Sequence, residues 1–509
     1  MSSLSKRLDA LTVEQIKGIS RGIEKESLRT TLAGDLAHTP HPAGLGSALT
    51  NPHITTDFSE SQVELVTGVH RDVDACLSEL QQIHQFVYQA IDQDMLWACS
   101  MPGTLPADED IPVGDYGRSH IGQAKRIYRM GLSHRYGRRM QTISGIHYNW
   151  SLPGLSNEQY FALIRNFRRQ SFLLLVLFGA SPAVATDFVS DAARQLHALQ
   201  AWGSRTLYLP HATSLRMGRL GYQSDAQSSL AVSYNSLEGY AASLHDALTR
   251  SYPPYEDIGI RGPDGAYRQL STSLLQIENE FYSSIRPKRV IQTGERPLHA
   301  LRARGVEYVE VRCMDLNPFL ATGIDSQTAR LIDTFLLHCL LSDSAPDTPQ
   351  EIAELALNQQ RVATRGREPG LTLQRQGSEV VLMDWAMDIL RDCALIAERL
   401  DSVLGGSAHM EAIAAAREGL RHPDSLPSAR VLAAFEQDPS TTGHIGFGQM
   451  RSQANRQQIM AMPLATEARA CFEREAQMSL AEQQAIEAAD TEPFETFRQH
   501  YVSAQRLVV

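Results

Sequence analysis

Polar and charged side chains alternate with other residues along three segments of the chain, with a period of two. On an extended strand, residues two apart project from the same face, about 6.6 Å apart. Glu24 therefore shares a face with Glu26, and Glu310 shares a face with Arg312. The pattern predicts β-strands at residues 19–29, 145–152 and 306–312.

The middle segment separates its two faces most clearly. Its polar face carries His147, Asn149 and Ser151, and the residues between them are apolar. This alternation directs the His147 imidazole toward a polar cavity, where it is suited to bind a metal or a phosphate. A core histidine with satisfied hydrogen bonds is the alternative interpretation.

Apolar residues recur at helical spacing in two segments of the first half of the chain. Beyond about residue 325, segments with this helical pattern dominate the chain. We predict helices at 75–94, 159–178, 329–341, 351–362, 380–404, 410–420 and 465–489. Together the patterns indicate an α+β protein, with an antiparallel sheet surrounded by helices and a helical C-terminal part. We divide the chain into a ligand-binding sheet part, 1–325, and a mainly helical part, 326–509, with one integrated domain as the alternative.

Charge and composition exclude several classes of protein. The 509 residues include 47 Lys+Arg and 58 Asp+Glu, for a net charge of −11, which argues against nucleic acid as a partner. The six cysteines form no Cys-x-x-Cys pair, which disfavours structural zinc and a disulfide scaffold. No apolar run approaches the ~18 residues that cross a bilayer, and no apolar segment follows the N-terminal charges. We expect a cytoplasmic protein that does not associate with membranes.

Several carboxylates lie in strand-like settings. A solvated edge strand with alternating charge is the alternative for the first strand. Asp57 and Glu64 lie within residues 54–67, and a helix or strand with an exposed acidic face is the alternative for them. A solvated position is a poorer explanation for Glu310, because the reverse face of its strand is apolar and the strand is expected to be covered. A charge on a covered strand is usually paired or metal-bound. An ion pair with Arg312 is the alternative there. A sheet face with many carboxylates suits a hard cation with a polyphosphate beside it.

Three segments combine arginine with tyrosine, at 126–132, 212–222 and 276–289. Because a guanidinium clamps a carboxylate or phosphate with two donors, these segments suit an anionic small molecule. No Gly-x-Gly-x-x-Gly or Gly-Lys-Ser/Thr motif lies between a strand and a helix. Any nucleotide must therefore be held by metal and side chains.

Taken together, these segments resemble the bacterial glutamate–cysteine ligase family. The motifs that carry the resemblance are RGIEKESLR (21–29), ITTDF (54–58), YRMGL (128–132), MQTISGIHYN (140–149), FGASP (178–182), ATSLR (212–216), LQIENE (275–280), IRPKR (285–289), VEYVEVR (306–312) and EAADTEPF (487–494). The resemblance spans nearly the whole chain, thins between about 325 and 460, and includes a shorter loop after residue 153.

The resemblance implies a fold similar to the catalytic domain of glutamine synthetase, a curved antiparallel sheet that forms a funnel around an acidic metal centre. The implied metal set is Glu24, Glu26, Asp57, Glu64, His147 and Glu310. Glu310 and Arg312 are the implied catalytic residues, with Arg312 at the transferring phosphoryl group. The pocket implied for the cysteine substrate is Tyr128, Leu132, Gln141, Arg216, Tyr222 and Tyr282. The residues that contact adenine are not identified.

The implied activity is the ATP-dependent ligation of L-glutamate, through its γ-carboxylate, to the amine of L-cysteine, by way of a γ-glutamyl phosphate. This is the first step of glutathione biosynthesis. The resemblance implies Mg²⁺, with Mn²⁺ as an alternative, ATP as co-substrate, and a protein compatible with a monomer. A related carboxylate–amine ligase with another amino acid acceptor is the first alternative, which the complete tyrosine and arginine set disfavours. A metal-binding regulatory scaffold is the second, which the retention of Arg312 disfavours.

Overall fold

A computed structural model describes residues 3–221, 226–227, 230–292, 294–437 and 443–508 of the chain. Its strands are β1 (Ser20–Thr30), β2 (Ile54–Thr56), β3 (Gln62–Val66), β4 (Met95–Leu96), β5 (Ile146–Ser151), β6 (Ala183–Ala185), β7 (Gln200–Trp202), β8 (Thr206–Tyr208), β9 (Ile285–Lys288), β10 (Tyr308–Met314), β11 (Thr372–Arg375) and β12 (Ser378–Val381). Its helices are α1 (Ser3–Asp9), α2 (Val13–Lys17), α3 (Val73–Ala90), α4 (His120–Tyr136), α5 (Asn157–Gln170), α6 (Phe172–Phe178), α7 (Asp191–Leu196), α8 (Leu237–Thr249), α9 (Pro253–Ile258), α10 (Pro297–Arg304), α11 (Ser326–Leu341), α12 (Pro349–Arg365), α13 (Leu382–Leu404), α14 (Ala408–Arg421), α15 (Pro427–Gln437), α16 (Gly443–Met460), α17 (Thr466–Ala489) and α18 (Phe494–Tyr501). The protein is therefore α+β, as predicted.

The largest sheet has the strand order β2-β3-β1-β5-β10-β9, with antiparallel pairing throughout, and β4 pairs with the end of β1. The three strands predicted from period-two alternation are its central neighbours β1, β5 and β10. Smaller antiparallel sheets are formed by β6-β8-β7 and by the β11–β12 hairpin. The solvated edge strand considered for β1 is wrong, because β1 is paired on both sides.

One face of the large sheet is covered by α3 and α5, and α11 contacts it where the Tyr148 hydroxyl donates to Asp333. The apolar residues of β5 and β10 that point to this face, including Tyr148 and Val311, are fully buried. The alternation read from the sequence is thereby confirmed, because the intervening polar residues project to the opposite face. That opposite face carries the candidate site.

Helix α4 passes over the polar face and was not predicted as an element. Ser119 begins it by accepting a hydrogen bond from the Gly122 amide at 3.1 Å. A Cβ atom at Gly122 would lie 2.4 Å from the Tyr116 carbonyl oxygen, so this close approach of chain segments requires glycine. The face of α4 that lies toward the sheet is partly polar, and this interrupts the apolar stripe by which amphipathic helices are recognised.

Three predicted helix boundaries are wrong. The helix predicted at 75–94 ends at Ala90. The helix predicted at 159–178 is two helices, α5 and α6, with a break at Ser171. The helix predicted at 380–404 begins at Leu382, because the residues before it form the β11–β12 hairpin. That hairpin turns through Gln376 and Gly377, whose φ angles of 53° and 79° fit a two-residue turn.

A continuous hydrophobic cluster contains residues from both sides of position 325, such as Ile146 and Leu390. The division of the chain there stays a prediction. In the part of the chain that the structure describes, none of the helices combines the length and apolar character needed to cross a membrane.

Candidate active site

Neighbouring strands bring acidic and basic side chains together on the polar face of the large sheet. The antiparallel register places Glu24 of β1 beside His147 of β5, and Glu26 beside Glu64 of β3. On the next strand, Glu310 is paired with Asn149. Residues that are far apart in sequence therefore meet because each occupies an equivalent, cavity-facing position in its strand.

Glu24, Glu64 and His147 form the group best arranged to bind a cation. One ligand atom from each lies within 4.8 Å of the others. His147 Nδ1 lies 3.1 Å from Glu24 Oε2, whereas Nε2 is buried, has no hydrogen-bond partner among the described residues and lies 3.6 Å from Glu26 Oε1. Asn149 Nδ2 donates to Glu24 Oε1 at 2.9 Å and orients that carboxylate.

Crowding shifts the pKa values within this group. Burial, together with the charge of Asp57, raises the pKa of Glu26 to about 8. Burial also raises the pKa of Glu64 well above its ordinary value, and the neighbouring carboxylates add to the shift. The pKa of His147 is lowered by burial and then by the Arg312 guanidinium. A cation bound here would relieve the repulsion and favour the ionised carboxylates.

Glu310 is buried among cations. Lys288 Nζ lies 3.1 Å from Oε1, and Arg312 Nη1 lies 3.1 Å from Oε2. Arg286 Nη1 is 4.0 Å away. Although burial opposes ionisation, the charges of Lys288 and Arg312 hold the pKa of Glu310 well below its ordinary range. The ion pair with Arg312 is thus present, and a metal contact of Glu310 stays a prediction.

The donor set fits a hard divalent cation. Carboxylate oxygens with a single imidazole are typical of Mg²⁺ and Mn²⁺ sites, and the buried, unpartnered His147 nitrogen is consistent with a further ligand there. Of the predicted metal set, those lining one cavity are Glu24, Asp57, Glu64, His147 and Glu310. Glu26 lies beside them, where its Oε2 accepts from the Gly145 amide at 2.7 Å. That all six bind metal stays a prediction.

The cavity has a volume of about 530 Å³ and lies between the sheet and α4. The side chains that α4 contributes recur at helical spacing: Ile121, Ala124, Lys125, Tyr128, Arg129 and Leu132. The loops before α10, the helix α17 and the end of α18 complete the wall. The cavity therefore combines an acidic floor with a partly apolar, partly basic roof.

Four residues predicted for the acceptor amino acid line this cavity: Tyr128, Leu132, Gln141 and Tyr282. Gln141 Nε2 donates to the Tyr282 hydroxyl at 2.9 Å. The Tyr136 ring packs against that of Tyr282, with centroids 5.9 Å apart. The structure thus brings the four together, and their role in binding an amino acid stays a prediction.

Arg216 is not among the described residues lining the cavity, although its charge partly offsets the burial that raises the pKa of the nearby Glu26. Arg216 is fully buried, donates to the Arg312 carbonyl oxygen at 3.0 Å and lies 3.8 Å from Asp315. Tyr222 lies outside the described residues. The predictions for these two residues remain predictions.

Sequence reasoning missed the roles of several basic residues in this cavity. Lys288 shares the period-two spacing of Arg286 on β9, and this alternation was an available signal. Lys125 and Arg129 are separated by one helical turn, but the pattern is recognised only once α4 is known to be a helix. Burial lowers the pKa of Lys125 to about 8, so its ammonium remains mainly charged at pH 7.

Fold and site together define a class: an α+β protein whose antiparallel sheet presents carboxylates and cations to one cavity. The profile of the glutamate–cysteine ligase family matches residues 6–362. A glutamate–cysteine ligase from Pseudomonas putida (strain W619) is 47% identical, over 97% of this chain and 97% of its own. One from Janthinobacterium sp. (strain Marseille) is 47% identical, over 94% of this chain and 93% of its own. The chain belongs to the glutamate–cysteine ligase family.

Solved structures agree with this assignment. The crystal structure of a glutamate–cysteine ligase from Francisella tularensis in complex with AMP matches with a TM-score of 0.90 and 34% identity, covering 96% of this chain and 98% of that one. A bifunctional glutathione synthetase from Pasteurella multocida matches with a TM-score of 0.72 and 24% identity, covering 93% of this chain and 58% of that one. The second likeness concerns the fold alone.

Proposed function

We propose that the chain catalyses ATP-dependent ligation of the γ-carboxylate of L-glutamate to the amine of L-cysteine, giving γ-glutamylcysteine, ADP and phosphate. One arrangement carries the proposal: Arg312 Nη1 lies 3.1 Å from Glu310 and 3.4 Å from His147, directly beside the acidic group. A fixed cation next to a cation-binding centre is what phosphoryl transfer requires. Membership in the glutamate–cysteine ligase family supports the proposal.

The reaction explains why the site needs both the positive charge of Arg312 and a cation at the acidic group. A carboxylate is a poor electrophile, so a γ-carboxylate oxygen of glutamate first attacks the γ-phosphorus of ATP, and ADP leaves. The amine of cysteine then attacks the acyl carbon of the γ-glutamyl phosphate, phosphate leaves, and the nitrogen loses a proton. Arg312 would hold positive charge beside the transferring group, and Glu310 fixes the guanidinium.

Divalent cations are proposed at the acidic face, with Mg²⁺ first and Mn²⁺ as an alternative. The residues that would hold them are Glu24, Glu26, Asp57, Glu64, His147 and Glu310. When bound, such ions neutralise and align the phosphates of ATP. The protein's own contribution is to orient the ligands, as Asn149 does for Glu24.

Cysteine is proposed to occupy the pocket under α4. Tyr128, Leu132, Gln141 and Tyr282 would contact it, and Arg216 and Tyr222 keep the roles assigned by resemblance. Aromatic rings with hydroxyl groups suit a small, weakly polar thiol. Because pockets separate near-isosteres by only ~1–3 kcal/mol, discrimination against 2-aminobutyrate should be modest.

Several finer properties belong to the same proposal. The large sheet would form a funnel similar to the catalytic domain of glutamine synthetase. The protein would act in the cytoplasm as a monomer, on small molecules, without nucleic acid or membrane partners. Its catalytic part would extend to about residue 325.

Phosphate release tests the proposal. ATP, Mg²⁺ and L-glutamate are supplied while the amine acceptor is varied among L-cysteine, L-2-aminobutyrate, glycine and L-alanine. The proposal predicts fastest release with cysteine and a product with the mass of γ-glutamylcysteine. Faster release with another acceptor would favour the related carboxylate–amine ligase, and no release with any acceptor would favour the regulatory scaffold.

A further inference from the structure

The basic residues of the cavity differ in whether the protein itself neutralises them. On the sheet side, Lys288 and Arg312 each lie 3.1 Å from a carboxylate oxygen of Glu310. On the helix side, the Lys125 ammonium lines the same cavity and makes no hydrogen bond or ion pair with a described residue, although the Glu64 carboxylate acts on its charge from farther away. A half-buried ammonium without a direct ion pair is unfavourable, so the position of Lys125 needs an explanation.

A second positive charge lies close to Lys125. Its Nζ lies 5.2 Å from the ring centroid of Tyr116, and the Arg129 guanidinium lies 4.4 Å from the same centroid. Tyr116 cannot supply a negative charge, because its hydroxyl donates to the carbonyl oxygens of Thr56 and Asp57. Two cations therefore share one aromatic ring at the roof of the cavity.

The position of Lys125 along α4 indicates what approaches it. Tyr128 and Leu132 lie toward the C-terminal end of the helix, where the acceptor amino acid is proposed to bind. Lys125 lies about one helical turn, or roughly 5 Å, before Tyr128 on the same face. A negatively charged group there would lie beside the acceptor and above the acidic floor.

We propose that Lys125 binds an oxyanion of a substrate in this cavity, either a phosphate of the nucleotide or a carboxylate of L-glutamate. The identity of these two candidate ligands rests on the proposed function. The observation that the Lys125 ammonium makes no ion pair with a described residue does not depend on it. Arg129 reinforces the site by placing a second positive charge on the Tyr116 ring. Lys125 is thus a substrate-binding residue on the wall opposite Arg312.

Equilibrium binding to the full chain tests this inference. MgADP and L-glutamate are titrated separately into the wild type, Lys125→Met, Lys125→Arg and Arg126→Met. The last variant is the matched control, because Arg126 is the next residue on α4, has a side chain that is 49% exposed and is absent from the described lining of the cavity. Lys125→Met should weaken one ligand about 10- to 100-fold, as expected for a lost charge-assisted contact. Lys125→Arg should keep most of the affinity, and Arg126→Met should keep all of it.

The melting temperature separates binding from packing. If Lys125 binds substrate, Lys125→Met melts at or above the wild-type temperature without ligand, because an unpaired charge has been removed. Unchanged affinity for both ligands in Lys125→Met would overturn the inference, and a lower melting temperature with unchanged affinities would make Lys125 a cover for Tyr116. Failure of the proposed function looks different: the wild type would bind MgADP but release no phosphate with glutamate and cysteine.

Discussion

The large sheet buries charged side chains on both of its faces, and the two faces neutralise them differently. On the helix-covered face, Arg21 lies 2.9 Å from Asp333, and the Tyr148 hydroxyl donates to the same carboxylate at 2.8 Å. On the cavity face, Glu26 and Glu64 have raised pKa values, because burial and neighbouring carboxylates disfavour their ionised forms. The Arg21–Asp333 pair on the covered face has matched charges, whereas on the cavity face the carboxylates of Glu26 and Glu64 are crowded by other carboxylates even though basic side chains lie nearby.

This difference helps to distinguish charged side chains that stabilise the fold from charged side chains that bind a ligand. A buried ion pair with matched partners is explained by folding alone. Carboxylates held close together in a cavity oppose folding unless something external binds them, and clusters with shifted pKa values are typical of functional sites. The comparison also extends to Lys125, whose ammonium makes no hydrogen bond or ion pair with a described residue.

The largest expected effect is the loss of stability on removing one partner of the buried ion pair on the helix-covered face. Asp333→Ala leaves the Arg21 guanidinium buried without a counter-charge and should lower the free energy of unfolding by about 3–5 kcal/mol. Urea denaturation measures the loss. Arg21→Met combined with Asp333→Ala should recover part of it, because no buried charge remains. A loss below about 1 kcal/mol would mean that this pair is unimportant for folding.

Removing a charge from the cavity face should reduce catalysis. Glu310→Gln retains the shape but removes the charge that fixes Lys288 and Arg312, and we expect turnover to fall more than ~100-fold. Steady-state kinetics at limiting Mg²⁺ measures this effect. Glu307→Gln, on the same chain segment with a side chain that is 46% exposed, is the control and should be unaffected. Wild-type turnover in Glu310→Gln would refute the assignment of a metal to β10.

Arg312→Lys tests whether the cavity face needs the planar guanidinium or only a positive charge, because lysine keeps the charge but lacks the planar fork. We expect turnover to fall about 10- to 100-fold while the Michaelis constant for ATP changes little, which marks an interaction made mainly in the transition state. Initial rates with ATP varied measure both quantities. Normal turnover with weakened ATP binding would make Arg312 a ground-state clamp.

The smallest effect is expected in the acceptor pocket. Tyr282→Phe removes the hydroxyl that accepts from Gln141, and it should raise the Michaelis constant for cysteine several-fold more than that for ATP. The melting temperature should stay nearly unchanged, as should that of Tyr222→Phe. Equal effects on cysteine, glutamate and ATP, or a large loss of thermal stability, would place these tyrosines in the structural core.

Sequence reasoning identified the three central strands because one side of each is packed against helices, and this forces a period of two. It also placed Glu24, Glu26 and Glu310 on strand faces, because their spacing depends only on strand geometry, whereas Asp57 and Glu64 were assigned by resemblance. It missed α4, because the side chains that line a cavity interrupt the apolar stripe of that helix. The neutralisation of Glu310 by Lys288 depends on the pairing of β9 with β10, and such long-range pairings are not encoded in local spacing.

Calorimetric titration of Mg²⁺ at pH 7, in buffers of different ionisation enthalpy, tests the central claim that the cavity face is a divalent-cation site. Without metal, Glu26 has a pKa of about 8, so it binds a proton that a cation must displace, and the raised pKa of Glu64 acts in the same direction. We predict saturable binding with proton release, and weaker binding with less release in Glu64→Gln. Absence of saturable binding, or binding that releases no protons and is unchanged in Glu64→Gln, would contradict the account.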